Sequence, residues 1–145
     1  MIRTLSEMDV DAVMQIWLET NSRAHSFIPN EYWRGNFSMV RTMLPQAEVY
    51  VWGETGASRI DGFIGLMGND IAGIFVREAA QSKGIGKQLL NSAKAARPHL
   101  SLRVYRKNTR AINFYQREGF VIQSEGVDEE THEKEFVMIW SQNAC

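Results

Sequence analysis

The spacing of apolar residues changes repeatedly along the chain, and each change marks an element. A short opening strand is expected at Ile2–Leu5. Val10, Val13, Met14 and Trp17 then recur at helical spacing, with Ser6 as a candidate N-cap and Glu7 and Asp9 where negative charge suits the helix dipole. This helix is expected to run to Asn21. After the connection Ser22–Pro29, Asn30 is a candidate cap for a second helix from Glu31 to Met43, ended by Pro45. Glu48–Trp52 alternates and is rich in β-branched and aromatic residues, and Ile60–Met67 reads as its returning strand across the turn Glu54–Ser58. A second turn at Gly68–Asp70 leads to a more apolar strand, Ile71–Val76, expected at the centre of a sheet. A glycine turn, a helix at Ile85–Ala96 and a strand at Leu100–Tyr105 follow. Asn108 can cap a helix from Thr109 to Glu118, with Gly119 placed to end it. Phe120–Ser124 and Phe136–Trp140 are the last strands expected.

This order is β-α-α-β-β-β-α-β-α-β-β. Adjacent strands come first and strand–helix units later, which argues for an α/β domain with a substantial antiparallel part. One domain over residues 1–141 is expected, with a polar tail at 142–145.

Composition adds little against this. Of 145 residues, 44% are hydrophobic and 23% charged, which describes an ordinary globular protein. The net charge of −1 gives no general attraction to nucleic acid or anionic membrane, so neither is an expected partner. The charge is unevenly placed, however. Arg97, Arg103, Arg106, Lys107, Arg110 and Arg117 precede Glu125, Asp128, Glu129, Glu130, Glu133 and Glu135. The only cysteine is Cys145, so no internal disulfide can form. With no apolar leader or membrane-length apolar run, a cytoplasmic location is expected. The histidines His25, His99 and His132 are scattered without close ligand companions, so no metal is expected.

Two motifs carry chemistry. Gln81-Ser82-Lys83-Gly84-Ile85-Gly86-Lys87 lies between a strand and a helix. That arrangement aims backbone N–H groups and the positive end of a helix dipole at a phosphate, and its glycines let a ligand approach the main chain closely. The second motif is Asn108-x-x-Ala111-x-x-Phe114-Tyr115-x-x-x-Gly119-Phe120. Together, in this order and separation, they resemble the Gcn5-related N-acetyltransferase (GNAT) superfamily over nearly the whole chain. His25-x-Phe27 and Tyr32-Trp33 are similar to small bacterial enzymes of the YiaC and YjaB type.

The resemblance implies a central mixed, mostly antiparallel sheet of about seven strands flanked by about four helices. It implies acetyl-CoA as cosubstrate and an amine as acceptor, on a protein lysine, a protein N-terminus or a small molecule. Ile74, Phe75 and Val76 are then expected to splay from the next strand and meet the pantetheine arm. Gln81 heads the pyrophosphate loop, whose N–H groups from Ser82 through Lys83, Gly84, Ile85 and Gly86 to Lys87 hold the phosphates. Asn108, Ala111 and Tyr115 are expected beside the cofactor, with the Tyr115 phenol near the thioester sulfur. Glu31, Tyr32 and Trp33 are expected to contribute to the acceptor groove. One departure is the lack of a proline in Arg77–Ala80.

Amine acylation makes its own demands. A lysine-like amine, with a pKa of about 10.4, is almost wholly protonated at neutral pH and must lose a proton. The leaving thiolate must gain one, which a buried phenol such as Tyr115 can supply. The base is less defined. Several relatives carry a glutamate where this chain has Arg103, which cannot serve. His25 has the most suitable intrinsic pKa; Glu31, Asp70 and a water chain are the other options. The acidic stretch Asp128–Glu135 is expected beside the acceptor entrance, where it would attract a cationic amine. Two rival readings are a non-catalytic acyl-CoA-binding or sensor module and a generic phosphate binder. A monomer and a homodimer both remain open.

Overall fold

Alternate residues of the central strands feed two separate cores, one on each face of a single sheet. The computed structural model describes residues 1–53 and 59–142. Its elements are β1 (Ile2–Thr4), α1 (Val10–Ala24), α2 (Asn30–Met43), β2 (Glu48–Gly53), β3 (Ile60–Met67), β4 (Asp70–Val76), α3 (Ile85–Ala96), β5 (His99–Tyr105), α4 (Thr109–Arg117), β6 (Val121–Val127) and β7 (Lys134–Ser141). The strands form a 7-stranded sheet in the order β1-β2-β3-β4-β5-β7-β6. Every neighbouring pair is antiparallel except β4 and β5. The element order and the mixed sheet agree with the hydrophobic pattern, and β4 is the middle strand. The turn expected at Glu54–Ser58 and the end of the tail lie outside the described residues.

Along β2, Val49 and Val51 point to one side, where they pack with Val13, Met14 and Trp17 of α1 and Trp33 of α2. Tyr50 and Trp52 point to the other, against the core built from Leu89, Leu90 and Ala93 of α3 and Ile112 and Tyr115 of α4. Each large side chain so buried contributes about 1.5–3 kcal/mol of transfer free energy. Period-2 alternation in the strands and the apolar stripes of the helices therefore select the same two layers.

Several boundaries differ from the sequence expectation for physical reasons. Ser6 is an N-cap, as expected, but of a 3-10 turn at Glu7–Asp9 that runs into α1. Its N–H and hydroxyl donate to Asp9 at 2.8 and 3.1 Å, around a short 3-10 turn, and α1 starts at Val10. Asp9 is 6% exposed and accepts both Arg3 nitrogens, at 2.7 and 2.9 Å. The helix α1 runs past Asn21 to Ala24 because the buried Asn21 amide donates to the Trp17 carbonyl at 2.9 Å, which satisfies a residue that would otherwise end the helix. Asn30 is the first residue of α2 rather than its cap. Asp70 belongs to β4, not to the preceding turn. The last two strands are longer than expected, and β6 is exposed along its whole length, so neither face gave it an alternating pattern. Phe120 lies outside β6 and is buried in the core.

One irregularity matters most. The strands β4 and β5 are paired only at Asp70 with Ser101 and Ile71 with Leu102. Beyond that point they diverge, and residues 72–76 are left without a strand partner on the β5 side.

Candidate active site

The divergence of β4 and β5 opens a cleft of about 1660 Å³. Ile74, Phe75 and Val76 form one wall, and Val104, Tyr105 and Asn108 lie opposite. The turn after β4 and the start of α3 close one end, and α4 contributes Ala111, Phe114 and Tyr115. The C-terminal part of α1, Trp33 of α2 and the β6–β7 connection border the other side.

The turn into α3 is shaped for an anion. Ser82 and Gly84 both have left-handed backbones, with φ of 64° and 82°. A left-handed serine is uncommon and is a local strain. Gly84 is the N-cap of α3, so no side chain caps the helix, and its first turn holds no acidic residue. The free N–H groups at that end, with the helix dipole behind them, can receive a phosphate. The Gln81 side chain donates to the Val76 carbonyl at 2.9 Å and pins the loop back to β4. Ser82, Gly84, Ile85, Gly86 and Lys87 line the cleft, whereas Lys83 is exposed outside it.

The second motif is a frame around Tyr115. Asn108 Oδ1 caps α4 by accepting from the Ala111 N–H at 3.2 Å. At the other end Gly119 adopts φ 95°, its N–H donates to the Gln116 carbonyl at 3.1 Å, and the Phe120 N–H donates to the Tyr115 carbonyl at 2.9 Å. This is a Schellman closure with its usual apolar contact, here the Tyr115 and Phe120 rings at 5.6 Å. Tyr115 is 8% exposed, and burial pushes its phenol well above the ordinary range, so it is fully protonated at neutral pH.

His25 closes the C-terminus of α1 and points inward. Its ring stacks on Trp33 at 5.4 Å and meets Phe27 and Tyr105 edge-on. Nε2 lies 3.2 Å from Asn108 Nδ2. Burial lowers its pKa to about 4, so the ring is neutral near pH 7. Of the residues expected in the acceptor groove, Trp33 lines the cleft and Glu31 and Tyr32 do not. The Tyr32 hydroxyl instead donates to Glu130 at 2.6 Å, tying α2 to the β6–β7 connection. Asp70 is outside the cleft, hydrogen bonded by the Ser101 hydroxyl at the far end of β4.

The acidic stretch does border the cleft, through Asp128, Glu129, Glu130 and Glu135. Part of its charge is already paired. Arg106 meets Glu125 at 3.2 Å and Lys107 meets Glu133 at 3.1 Å, so the basic segment after β5 pairs with carboxylates of β6 and of the β6–β7 connection. Asp128 accepts from the Tyr105 hydroxyl at 2.6 Å. Tyr105 was not singled out from the sequence. Its position opposite Glu135 in the β5–β7 ladder shows only once the strands are paired. Among the described residues, no group of three or more His, Cys, Asp or Glu is placed to hold a metal ion, and no helix is long and apolar enough to cross a membrane.

A family model described as an acetyltransferase (GNAT) domain matches residues 45–122, a span that includes both motifs. Peptidyl-lysine N-acetyltransferase YiaC of Escherichia coli is 39% identical over 142 residues, covering 97% of this chain and 96% of that protein. The chain belongs to the GNAT acetyltransferase family. The GNAT fold is also that of Escherichia coli YjaB, whose solution structure in the apo form superposes with a TM-score of 0.83 at 25% identity, covering 96% of this chain and 95% of YjaB. The PaiA N-acetyltransferase of Thermoplasma acidophilum, solved in complex with coenzyme A, shares the fold with a TM-score of 0.79 at 20% identity, covering 97% of this chain and 98% of that one. The expected GNAT architecture is thus present, including the splay of the middle strands.

Proposed function

We propose that this GNAT protein is an acetyl-CoA-dependent N-acetyltransferase that acetylates lysine side-chain amines by direct attack in a ternary complex. The observation that carries the reading is the gap between β4 and β5, which joins the uncapped end of α3 to Tyr115 within one cleft. The relatives YiaC and YjaB are named for acetylation of peptidyl lysine, and the PaiA structure holds coenzyme A. The residues here suit such a cosubstrate. The glycine turn and the first turn of α3 offer N–H donors and Lys87 to the pyrophosphate. The unpaired edge of residues 72–76 offers main-chain groups to the pantetheine arm and to the oxygen that gains charge as the amine attacks.

Acetyl-CoA supplies the activated acyl group, and the protein's own residues do the rest. Asn108 holds the start of α4 against the cleft. Tyr115, kept protonated by burial, gives its proton to the departing sulfur. Asp128, Glu129 and Glu130 present negative charge at the acceptor side and favour a cationic amine. His25 is neutral, but its one lone pair already faces the Asn108 amide.

The test is to incubate the protein with acetyl-CoA and lysine-containing peptides, following thiol release and acetyl-lysine by mass spectrometry. Release that depends on the peptide, together with acetyl-lysine, is expected. A binding module would take up CoA and transfer nothing.

A further inference from the structure

The acidic rim and the strands beside it offer several carboxylates, but their surroundings differ. Asp128 is occupied, accepting from the Tyr105 hydroxyl at 2.6 Å and the Glu130 N–H at 2.9 Å. Glu130 is held by Tyr32 at 2.6 Å. Glu129 is exposed. Glu135 is different. It stands on β7 directly across from Tyr105, on the strand face that carries Arg103, and it lines the cleft. Its side chain is only 13% exposed, yet its nearest charged partner is the Arg103 guanidinium at 3.8 Å, which is itself 76% exposed. No described residue donates a hydrogen bond to it. A carboxylate withdrawn from water without a close donor has lone pairs to spare, and these can accept a proton from a substrate.

Resting on the acetyltransferase reading, we propose that Glu135 is the general base of this site. In the balanced step, the lysine ammonium first gives one proton to water; the neutral nitrogen then bonds to the acetyl carbonyl carbon and the carbon–sulfur bond breaks. The proton shed by the nitrogen goes to the Glu135 carboxylate, directly or through one water, and the sulfur takes the Tyr115 proton. The products are an amide and a thiol, and the proton on Glu135 returns through water to the Tyr115 phenolate. The charged and titratable groups facing Glu135 are Arg103 and Tyr105 on β5 and Asp128 in the β6–β7 connection. Burial first, then Asp128, raises the Glu135 pKa from its ordinary value, while Arg103 opposes them. The net effect makes Glu135 a stronger base than an exposed glutamate.

The experiment compares wild type, E135Q and E135D with acetyl-CoA and a lysine peptide across pH, with CoA binding measured by calorimetry. Gln fills the same space, so E135Q should bind CoA as wild type does. Its kcat should fall about 100-fold or more, and the acid limb of the kcat profile should vanish. E135D should retain the limb with intermediate kcat; it also decides the matter if E135Q does not fold. Normal kcat with raised KM in E135Q would reduce Glu135 to an electrostatic anchor and overturn the base role. An unaltered kcat and pH profile in E135D would overturn it as well. Wild type without turnover on any amine would overturn the acetyltransferase reading and the base with it; wild-type turnover matched by E135Q would overturn the base alone.

Discussion

Asn108 and His25, 83 residues apart in the chain, are joined side chain to side chain at 3.2 Å. The Asn108 carbonyl oxygen is engaged in capping α4 through the Ala111 N–H. Its amide NH₂ is therefore the donor to His25 Nε2, and the imidazole proton sits on Nδ1. This uses the only lone pair that His25 has. We therefore propose His25 as a positioning residue for Asn108, where the sequence suggested a base.

Replacing His25 by Phe keeps an aromatic ring beside Trp33 and leaves the Asn108 amide without its acceptor. A net hydrogen bond is worth about 1 kcal/mol, so kcat/KM should fall roughly fivefold to tenfold, far less than for a lost base. The stability profile gives a second readout. His25 titrates near 6.5 when unfolded and about 4 when folded. Between those values the unfolded state binds the extra proton, so stability is lost as pH falls from 6.5 to 4. With allowance for partial exposure, the loss is about 1–2 kcal/mol. Thermal melts of His25→Phe should lack this dependence over the same window. Retention of the full wild-type slope would show that the imidazole is not its source.

Tyr115→Phe should separate chemistry from binding. The Phe114 and Phe120 rings pack against Tyr115 at 5.3 and 5.6 Å, contacts that Phe preserves. The expected result is a fold and CoA affinity close to wild type, with kcat lower by about 100-fold or more, the usual weight of general acid catalysis. Since burial holds the phenol well above 10, wild type should show no loss of activity from phenol ionisation up to pH 9. An active Tyr115→Phe variant would mean that the sulfur takes its proton from solvent.

The two glycines of the α3 turn should respond in opposite ways. A methyl on Gly84 meets nothing within 4 Å, but its φ of 82° is left-handed, so Gly84→Ala should cost about 1–2 kcal/mol from backbone conformation alone. A methyl on Gly86 lies 3.6 Å from Phe114 and 3.8 Å from Val76, ordinary contacts, and Ala favours a helix by about 1 kcal/mol. Gly86→Ala should melt at or above wild type without ligand. Its Cβ nevertheless points at residues that line the cleft, so CoA should bind more weakly. Melting scans with and without CoA check both, and equal CoA shifts in wild type and Gly86→Ala would remove Gly86 from the binding surface.

The legible features are those written into local physics. The helices α3 and α4 announce themselves by apolar stripes and by glycines in fixed relation to caps, so the two motifs and the order of elements follow from residues near one another in sequence. Where a residue's role depends on a distant partner, local pattern fails. Ser6 is legible as a cap, but that the turn it caps is 3-10 and that Asp9 pairs with Arg3 is not written in the local pattern. Asn21 looked like a helix end because its bond to Trp17 is invisible in a pattern of types. The strand β6 was truncated because an edge strand exposed throughout carries no alternation. Tyr105 and Glu135 come together only through the β5–β7 register, and the pairing of Arg106 and Lys107 with Glu125 and Glu133 could not be separated beforehand from two like-charged runs.

That pairing narrows which acidic residues can draw in an amine. With Glu125 and Glu133 paired, Asp128, Glu129 and Glu130 remain beside Glu135 as negative charge at the cleft. Changing all three to Asn, Gln and Gln removes the charge while leaving carbonyl oxygens for the Tyr105 and Tyr32 hydroxyls, so the connection should keep its place. At about 8 Å in water each unit charge is worth about 0.5 kcal/mol. The three together then change KM for a lysine peptide by roughly tenfold at low salt, and by much less at 0.5 M salt, where the screening length is only a few ångströms. Acetyl-CoA is an anion, so its KM should stay constant or fall in the same variant. Opposite shifts for the two substrates cannot come from a general loosening of the fold, which would weaken both. Steady-state kinetics at two salt concentrations measures all four values, and an unchanged peptide KM at low salt would remove the acidic connection from acceptor recognition.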